Sequence, residues 1–268
     1  MVVARTQIAR AFIGTSGWNY RQWRGDFFPG GLPTKQWLSF YASRFDSVEV
    51  NYSFYRLPSK EICETWYQQT PEPFRFVMKA SRYITHIKRL RNARESWDIF
   101  LERVLILKQK LGPILLQFPS SFQATEANLQ TVDDFLQYAG KTNTSRRLAL
   151  EFRHRSCFGQ EMLAILRKHR AALVISHSSR YPVPEIAATS DFVYFRFHGP
   201  TEMFASSYSN ADLRDWAEKM KTFLSMQRDV YAYFNNDSGG HAPRNAQILL
   251  RGLQPRSRSV RQRSETFS

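Results

Sequence analysis

The stretch LALEFRHRS, residues 148–156, begins as a buried strand and then places Glu151, Arg153 and His154 within four positions. An unpaired charge taken out of water costs several kcal/mol, so an apolar run ending in ionisable groups needs partners for them or a site that uses them. The same design recurs along the chain. Short apolar runs rich in β-branched and aromatic residues read AFIGTS (11–16), SVEVN (47–51), FRFVMK (74–79), ILLQF (114–118), ALVIS (172–176), FVYFRF (192–197) and VYAYF (230–234). Near-continuous apolar strands are covered on both faces, which is the pattern of a parallel sheet.

Between the strands, TKQWLSFYASRF (34–45) sets Trp37, Tyr41 and Phe45 four apart, and NARESWDIFLERVLILKQKLG (92–112) and NADLRDWAEKMKTFLSM (210–226) keep the same helical period. Gly112-Pro113 reads as the stop signal of the second of these helices. Eight strands alternating with helices, without a linker-like break, predict an α/β fold: a single parallel eight-stranded (β/α)8 TIM-type barrel over residues 1–253. An open doubly wound sheet is the rival, weakened because no G-x-G-x-x-G turn follows AFIGTS. The basic, serine-rich segment 254–268 has no apolar period and reads as a disordered tail.

With 43% hydrophobic and 15% aromatic residues among 268, the chain has ample material for a core. It contains no apolar run near the roughly 20 residues that span a bilayer and no secretory-signal centre near its start, so a cytoplasmic protein without membrane partners is expected. Cys63 and Cys157 are too few for a disulfide scaffold and read as buried thiols. The formal net charge of +15 favours anionic partners, either phosphorylated small molecules or nucleic acid.

In a TIM-type barrel the active face lies at the C-terminal ends of the strands. Those ends carry Thr15 and Ser16, Glu49 and Asn51, Lys79, Gln117, Glu151 with Arg153 and His154, Ser176 and His177, Arg196 and His198, then Asn235, Asn236 and Asp237, whereas most strand starts are plain. Residues i and i+2 of a strand share a face, so Glu49 points with Asn51, Glu151 with Arg153, and Arg196 with His198. The acids Glu49, Glu151 and Asp237 are thereby expected to converge with Lys79, Arg153 and Arg196. The alternative is a self-neutralising ion-pair network, but such a network is weak evidence for stability alone. The loops SGWNYRQWRGDFFPGGLP (16–33), YSFYRLPS (52–59) and ASRYITHIKRLRNAR (80–94) add rings and cations above this mouth. These rings with their interleaved cations suit stacking on bases or sugars with charge contacts to phosphate; the alternative is that Trp18, Trp23, Phe27, Phe28, Phe54 and Tyr55 pack as hydrophobic lids under the long loops.

GTSGWNYRQWRGDFFP, VEVNYSFYRLP, TPEPFRFVMKASRYITH, LGPILLQFP, EFRHRS, VYFRFHG and YAYFNNDSGGHAPRNAQIL together resemble the YecE-like family, barrels catalogued as a domain of unknown function. The resemblance covers residues 12–253. It implies a TIM-type barrel, leaves the reaction open, and adds Gly17, Thr85, His86 and Gly199 to the matching positions. The chain departs from the family pattern at Cys157, where a tryptophan is usual, and at Ser176-His177, where an aspartate commonly ends the sixth strand.

Three classes of function fit these residues. In the first, Lys79, Arg153 and Arg196 hold a phosphorylated or nucleic-acid-like substrate, Glu151 or Glu49 acts as general base, and His154 or His198 relays a proton, with Thr15, Ser16, Trp18, Asn51, Tyr55, His86, Gln117, Asn235 and Asn236 binding substrate and Asp237 the third acid. No cofactor is expected, and a metal-dependent nuclease lacks H-x-x-E and H-E-x-x-H spacing. The second class is a non-catalytic binder of nucleic acid or a phosphometabolite. The third is sugar chemistry on the two glutamates.

Overall fold

The computed structural model describes residues 8–142, 147–181 and 186–254. Beyond residue 254, the expected basic tail lies outside the described residues. The elements follow in the order β1 (Ala11–Thr15), α1 (Trp37–Ala42), β2 (Ser47–Val50), α2 (Tyr52–Tyr55), α3 (Lys60–Gln68), β3 (Arg75–Lys79), α4 (Arg94–Val104), β4 (Leu111–Gln117), α5 (Glu126–Thr142), β5 (Leu148–Glu151), α6 (Gln160–Lys168), β6 (Ala172–His177), β7 (Phe192–Phe197), α7 (Asn210–Ser225), β8 (Asp229–Phe234) and α8 (His241–Leu253). All seven strand pairings are parallel, in the spatial order β1-β8-β7-β6-β5-β4-β3-β2, which wraps the sheet into the expected barrel. Between β6 and β7 no helix occurs among the described residues.

The barrel closes between β1 and β2 through one backbone bridge, Ser16 to Glu49, and through a side chain. The Tyr41 hydroxyl, carried by α1, accepts from the Thr15 amide at 2.9 Å and donates to the Ser47 carbonyl at 3.1 Å, standing in for a ladder hydrogen bond. Gly14 makes this possible, because a Cβ there would fall 2.1 Å from the Ser47 carbonyl oxygen. Trp37, Tyr41 and Phe45 are buried together against the outside of the barrel, as their spacing predicts. Inside, Phe12, Val77, Leu115, Ala149, Phe192 and Tyr231 belong to a separate core. Along β7 the inward side chains alternate with outward ones and change character from base to mouth: Phe192, Tyr194, Arg196, then His198.

One expectation is corrected. Helix α4 ends at Val104, a 3-10 stretch covers Leu105–Lys110, and Gly112 and Pro113 lie inside β4 instead of before it. Pro113 has no amide hydrogen, and the β3–β4 register shifts alongside it between Phe76 and Met78, which is where a strand tolerates such a pair. Not every strand start is plain. At the base of the barrel Arg147 bonds Asp229 and lies 3.3 Å from Asp191, while the Arg10 amide donates to Asp229 at 2.8 Å.

Candidate functional site

β2, β5 and β7 each deliver one ionisable group to the centre of the mouth, because the inward positions of their last turns are Glu49, Glu151 and Arg196. Arg196, 1% exposed, grips Glu49 with two nitrogens, Nε to Oε2 at 2.9 Å and Nη2 to Oε1 at 2.6 Å, and turns Nη1 to Glu151 Oε2. Glu49 receives two further bonds, from the Tyr194 hydroxyl at 2.6 Å and from Ser16 Oγ at 2.7 Å. Burial alone would raise both carboxyls, but the Arg196 charge and the donated bonds overcome it: Glu49 lies below the ordinary carboxylate range and Glu151 well below it. Glu151 is less fully bonded, since its Oε1 sits 3.6 Å from both His198 Nε2 and Arg153 Nε, beyond hydrogen-bond length. Asn235 Nδ2 lies 3.1 Å from His198 Nδ1; as an amide it donates there, which leaves the ring proton on Nε2 facing Glu151. Burial holds that imidazole below its ordinary pKa.

Above this floor opens a cavity of about 540 Å³, bordered by Tyr20, Asn51, Phe54, Tyr55, Lys79, Arg82, His86, Gln117, Arg153, Arg196, Asn235 and Asp237. Several of its polar atoms have no partner among the described residues: Asn51 Oδ1, Asp237 Oδ1 and Arg153 Nε are buried without a hydrogen bond. Lys79, 8% exposed, makes no hydrogen bond or ion pair among the described residues and rests its ammonium 4.1 Å from the centre of the Phe54 ring. Desolvation, with Arg196 and Arg153 repelling and the two glutamates opposing, brings Lys79 down to about 7. Burial lifts Asp237 to about 7, against Tyr20 and Arg196 and with Glu49 adding to the rise. A single π-helical turn after β3, Tyr83–Ile87, folds His86 back edge-on to Phe54 at 5.0 Å, with Nδ1 2.9 Å from Thr85 Oγ1. Burial and then the Lys79 charge depress His86 to about 4.

Of the residues expected to converge, Glu49, Asn51, Tyr55, Lys79, His86, Gln117, Glu151, Arg153, Arg196, His198, Asn235 and Asp237 do so at the floor or wall of this mouth. His154 does not border the cavity: its Nδ1 accepts from the Ser156 amide at 3.3 Å and caps the 3-10 turn Arg155–Phe158. Thr15 is held at the seam, its hydroxyl donating to the Gly17 carbonyl at 2.6 Å, and Asn236 is buried, donating to the Ser206 carbonyl and Asn245 Oδ1 at 2.9 Å each. Ser16 serves Glu49 as already described. Trp18 lies outside the cavity in a neighbouring groove of about 530 Å³ with Tyr52, Ile62 and Trp66, sharing Tyr20, Asn51 and Tyr55 with the cavity. Trp23 and Phe28 are fully buried, so they serve as the hydrophobic lid, and Phe28 stacks on Trp37 at 4.6 Å.

The sequence reading missed Tyr194, Tyr20, Arg82 and the amide of Asn245. Tyr194 lies two residues before Arg196 and shares its face, a signal the alternation rule carries. Both cysteines are buried free thiols, raised to about 11 by burial. Ser176 faces Arg196 across the β6–β7 register with an unpaired, buried Oγ, so β6 supplies no carboxylate to the floor. Among the described residues no three His, Cys, Asp or Glu side chains are grouped to hold a metal ion, and no helix is long and apolar enough to cross a membrane.

Comparison with known proteins agrees with this architecture. UPF0759 protein YunF of Bacillus subtilis is 26% identical across 91% of this chain and 98% of its own length, and UPF0759 protein YecE of Escherichia coli is 32% identical over 43% of this chain and 40% of its own. A crystal structure of a DUF72 family protein from Thermotoga maritima superposes with a TM-score of 0.81 at 28% identity, covering 91% of this chain and 99% of that one. The family model described as "protein of unknown function DUF72" matches residues 12–266, which carries the likeness past residue 253 and into the basic segment. The chain therefore belongs to the DUF72 family, the YecE-like barrels whose function is unknown.

Proposed function

We propose that the mouth binds a small phosphorylated ligand, with the anion held by Arg153 and Arg82. The observation that carries this reading is the set of cavity-facing donors without partners. Arg196 spends Nε and both terminal nitrogens on Glu49 and Glu151, whereas among the described residues the buried Arg153 Nε has no hydrogen bond and Lys79 has neither a hydrogen bond nor an ion pair. Three guanidinium groups at the mouth, Arg82, Arg153 and Arg196, face two ionised carboxylates, Glu49 and Glu151, leaving a positive surplus before Lys79 is counted. A buried donor without an acceptor costs about 1–3 kcal/mol, and a phosphate oxygen removes that cost.

Proton transfer in this reading belongs to Asp237 and not to the glutamates. Glu49 and Glu151 are held ionised by Arg196 and are poor bases, which makes them positioning groups for the guanidinium. Asp237, poised near 7 with an unbonded Oδ1, can give or take a proton at neutral pH. Titration calorimetry with glycerol 3-phosphate tests the reading. Saturable one-to-one binding is expected, with no binding of glycerol and about a 10–100-fold loss in Arg153→Met, the worth of a charged hydrogen bond. Equal heats for glycerol and glycerol 3-phosphate would overturn it.

The adjoining groove favours a second reading, in which the ligand is a nucleotide or a nucleic-acid strand. Trp18 meets Trp66 edge-on at 5.4 Å, and Tyr52 and Tyr55 are exposed beside them, a surface on which a base can stack while its phosphate occupies the cavity. Oligonucleotide affinity that falls steeply with salt in the wild type and weakens in Trp18→Ala supports this reading, and unchanged affinity in that variant removes it.

A further inference from the structure

We propose that Lys79 is a covalent nucleophile, forming an imine with the carbonyl carbon of a phosphorylated aldehyde or ketone; the inference rests on the anion-binding reading for its substrate class. Lys79 ends β3 and projects into the cavity from a fixed backbone, since its carbonyl accepts from Ser53 Oγ at 2.7 Å. The side chain is 8% exposed, lies on the face of Phe54 and has no ion-pair partner among the described residues, although Glu49 and Glu151 are close enough to affect its charge. Arg196 takes both of those carboxylates for itself. A lysine that served only to neutralise them would bond them, and a lysine that served only solubility would lie outside.

The surroundings suit the free amine. Burial and the neighbouring Arg196 and Arg153 guanidinium groups disfavour the ammonium form, the standard way a protein activates a lysine. His86 borders the same cavity and is neutral, so it adds no further positive charge there. Asp237 borders the same cavity and retains its proton up to neutral pH.

The step balances without an oxidant or reductant. The nitrogen lone pair attacks the carbonyl carbon, the C–N bond forms, and the carbonyl π pair moves onto oxygen. A proton passes from nitrogen to that oxygen, giving a carbinolamine. The C–O bond then breaks, the oxygen leaves as water with a proton from Asp237, and the nitrogen lone pair closes the C=N bond. Arg82 and Arg153 hold the phosphate throughout and place the carbonyl against the amine.

Reductive trapping tests this at pH 7 in the full chain. Glyceraldehyde 3-phosphate and uncharged glyceraldehyde are each incubated with sodium cyanoborohydride, and adducts are located by intact mass and peptide mapping. Ordinary lysines hold roughly a thousandth of their amine as free base at this pH, so surface labelling is slow. The expected result is a single adduct at Lys79, formed at least tenfold faster with the phosphorylated probe and absent in Lys79→Arg. Arg153→Met retains the Lys79 adduct but loses the preference for the phosphate. Equal rates with the two probes at Lys79 would keep the nucleophile and overturn the anion-binding reading. Adducts spread over exposed lysines, or none, in a protein that still binds glycerol 3-phosphate would overturn the nucleophile alone.

Discussion

At the base of the barrel Arg147 bridges Asp229 and Asp191; at the mouth Arg196 bridges Glu49 and Glu151. The side chains at the base remain 31%, 21% and 52% exposed, so water still solvates the charges and the bridge spares little and costs little. Those at the mouth are 1%, 0% and 1% exposed, and each charge there has lost its water entirely. Replacing a buried network of that kind with apolar side chains is often neutral or stabilising, so the mouth arrangement is dear in stability terms where the base arrangement is not. Among the described residues the mouth also leaves the buried Arg153 Nε, Asp237 Oδ1 and Asn51 Oδ1 without hydrogen bonds, and none of the Arg147, Asp191 or Asp229 atoms is buried in that state. The base pairs its charges with one another, and the mouth holds donors and acceptors in reserve.

The sharpest way to break this contrast is to remove the two arginines in turn. Arg196→Met strands two buried carboxylates and should cost about 3–5 kcal/mol in urea unfolding, while Arg147→Met should cost about 1 kcal/mol or less. Equal costs would mean that the ends are alike.

Acid and base titrations sharpen it next, because Asp237 and Lys79 act with opposite signs. The folded Asp237 holds its proton up to about 7 instead of the ordinary 3.8, so its contribution to stability is complete below 3.8 and is lost as pH rises through 7. Asp237→Asn should therefore be more stable than wild type at pH 8.5, by about 4 kcal/mol at most, with the gap closing toward pH 4. Lys79 sheds its proton near 7 instead of 10.5, so its penalty is complete below 7 and disappears as pH rises toward 10.5. Lys79→Met should stabilise most below pH 7. A pH-independent gap in either variant contradicts the assignment. The smallest effect is expected at His154, which caps a surface turn: His154→Ala should cost about 0.5 kcal/mol and leave glycerol 3-phosphate binding unchanged.

Much of this arrangement was legible in the chain. Continuous apolar runs located the strands, and the polar residues ending them located the mouth, because a parallel barrel buries strand middles and frees strand ends. Alternation placed Glu151 with Arg153 and Arg196 with His198. Three features were not legible. Gly112-Pro113 sits in a strand only because the β3–β4 register slips beside it, a property of the pair and not of the segment. His154 turned to its own backbone, a local bond that competes with any distant role. Which carboxylates Arg196 would grip depended on distances across the barrel, so the difference between the fully bonded Glu49 and the half-bonded Glu151 could not be read from either segment.

The most direct test is the rise in unfolding temperature that 10 mM glycerol 3-phosphate produces in three proteins, since a ligand that binds only the folded state stabilises it. The account predicts the same rise in wild type and in Arg147→Met, and in Arg153→Met a rise reduced by the roughly 10–100-fold loss of affinity. A full rise in Arg153→Met, or its loss in Arg147→Met, would contradict the assignment of the binding site to the mouth.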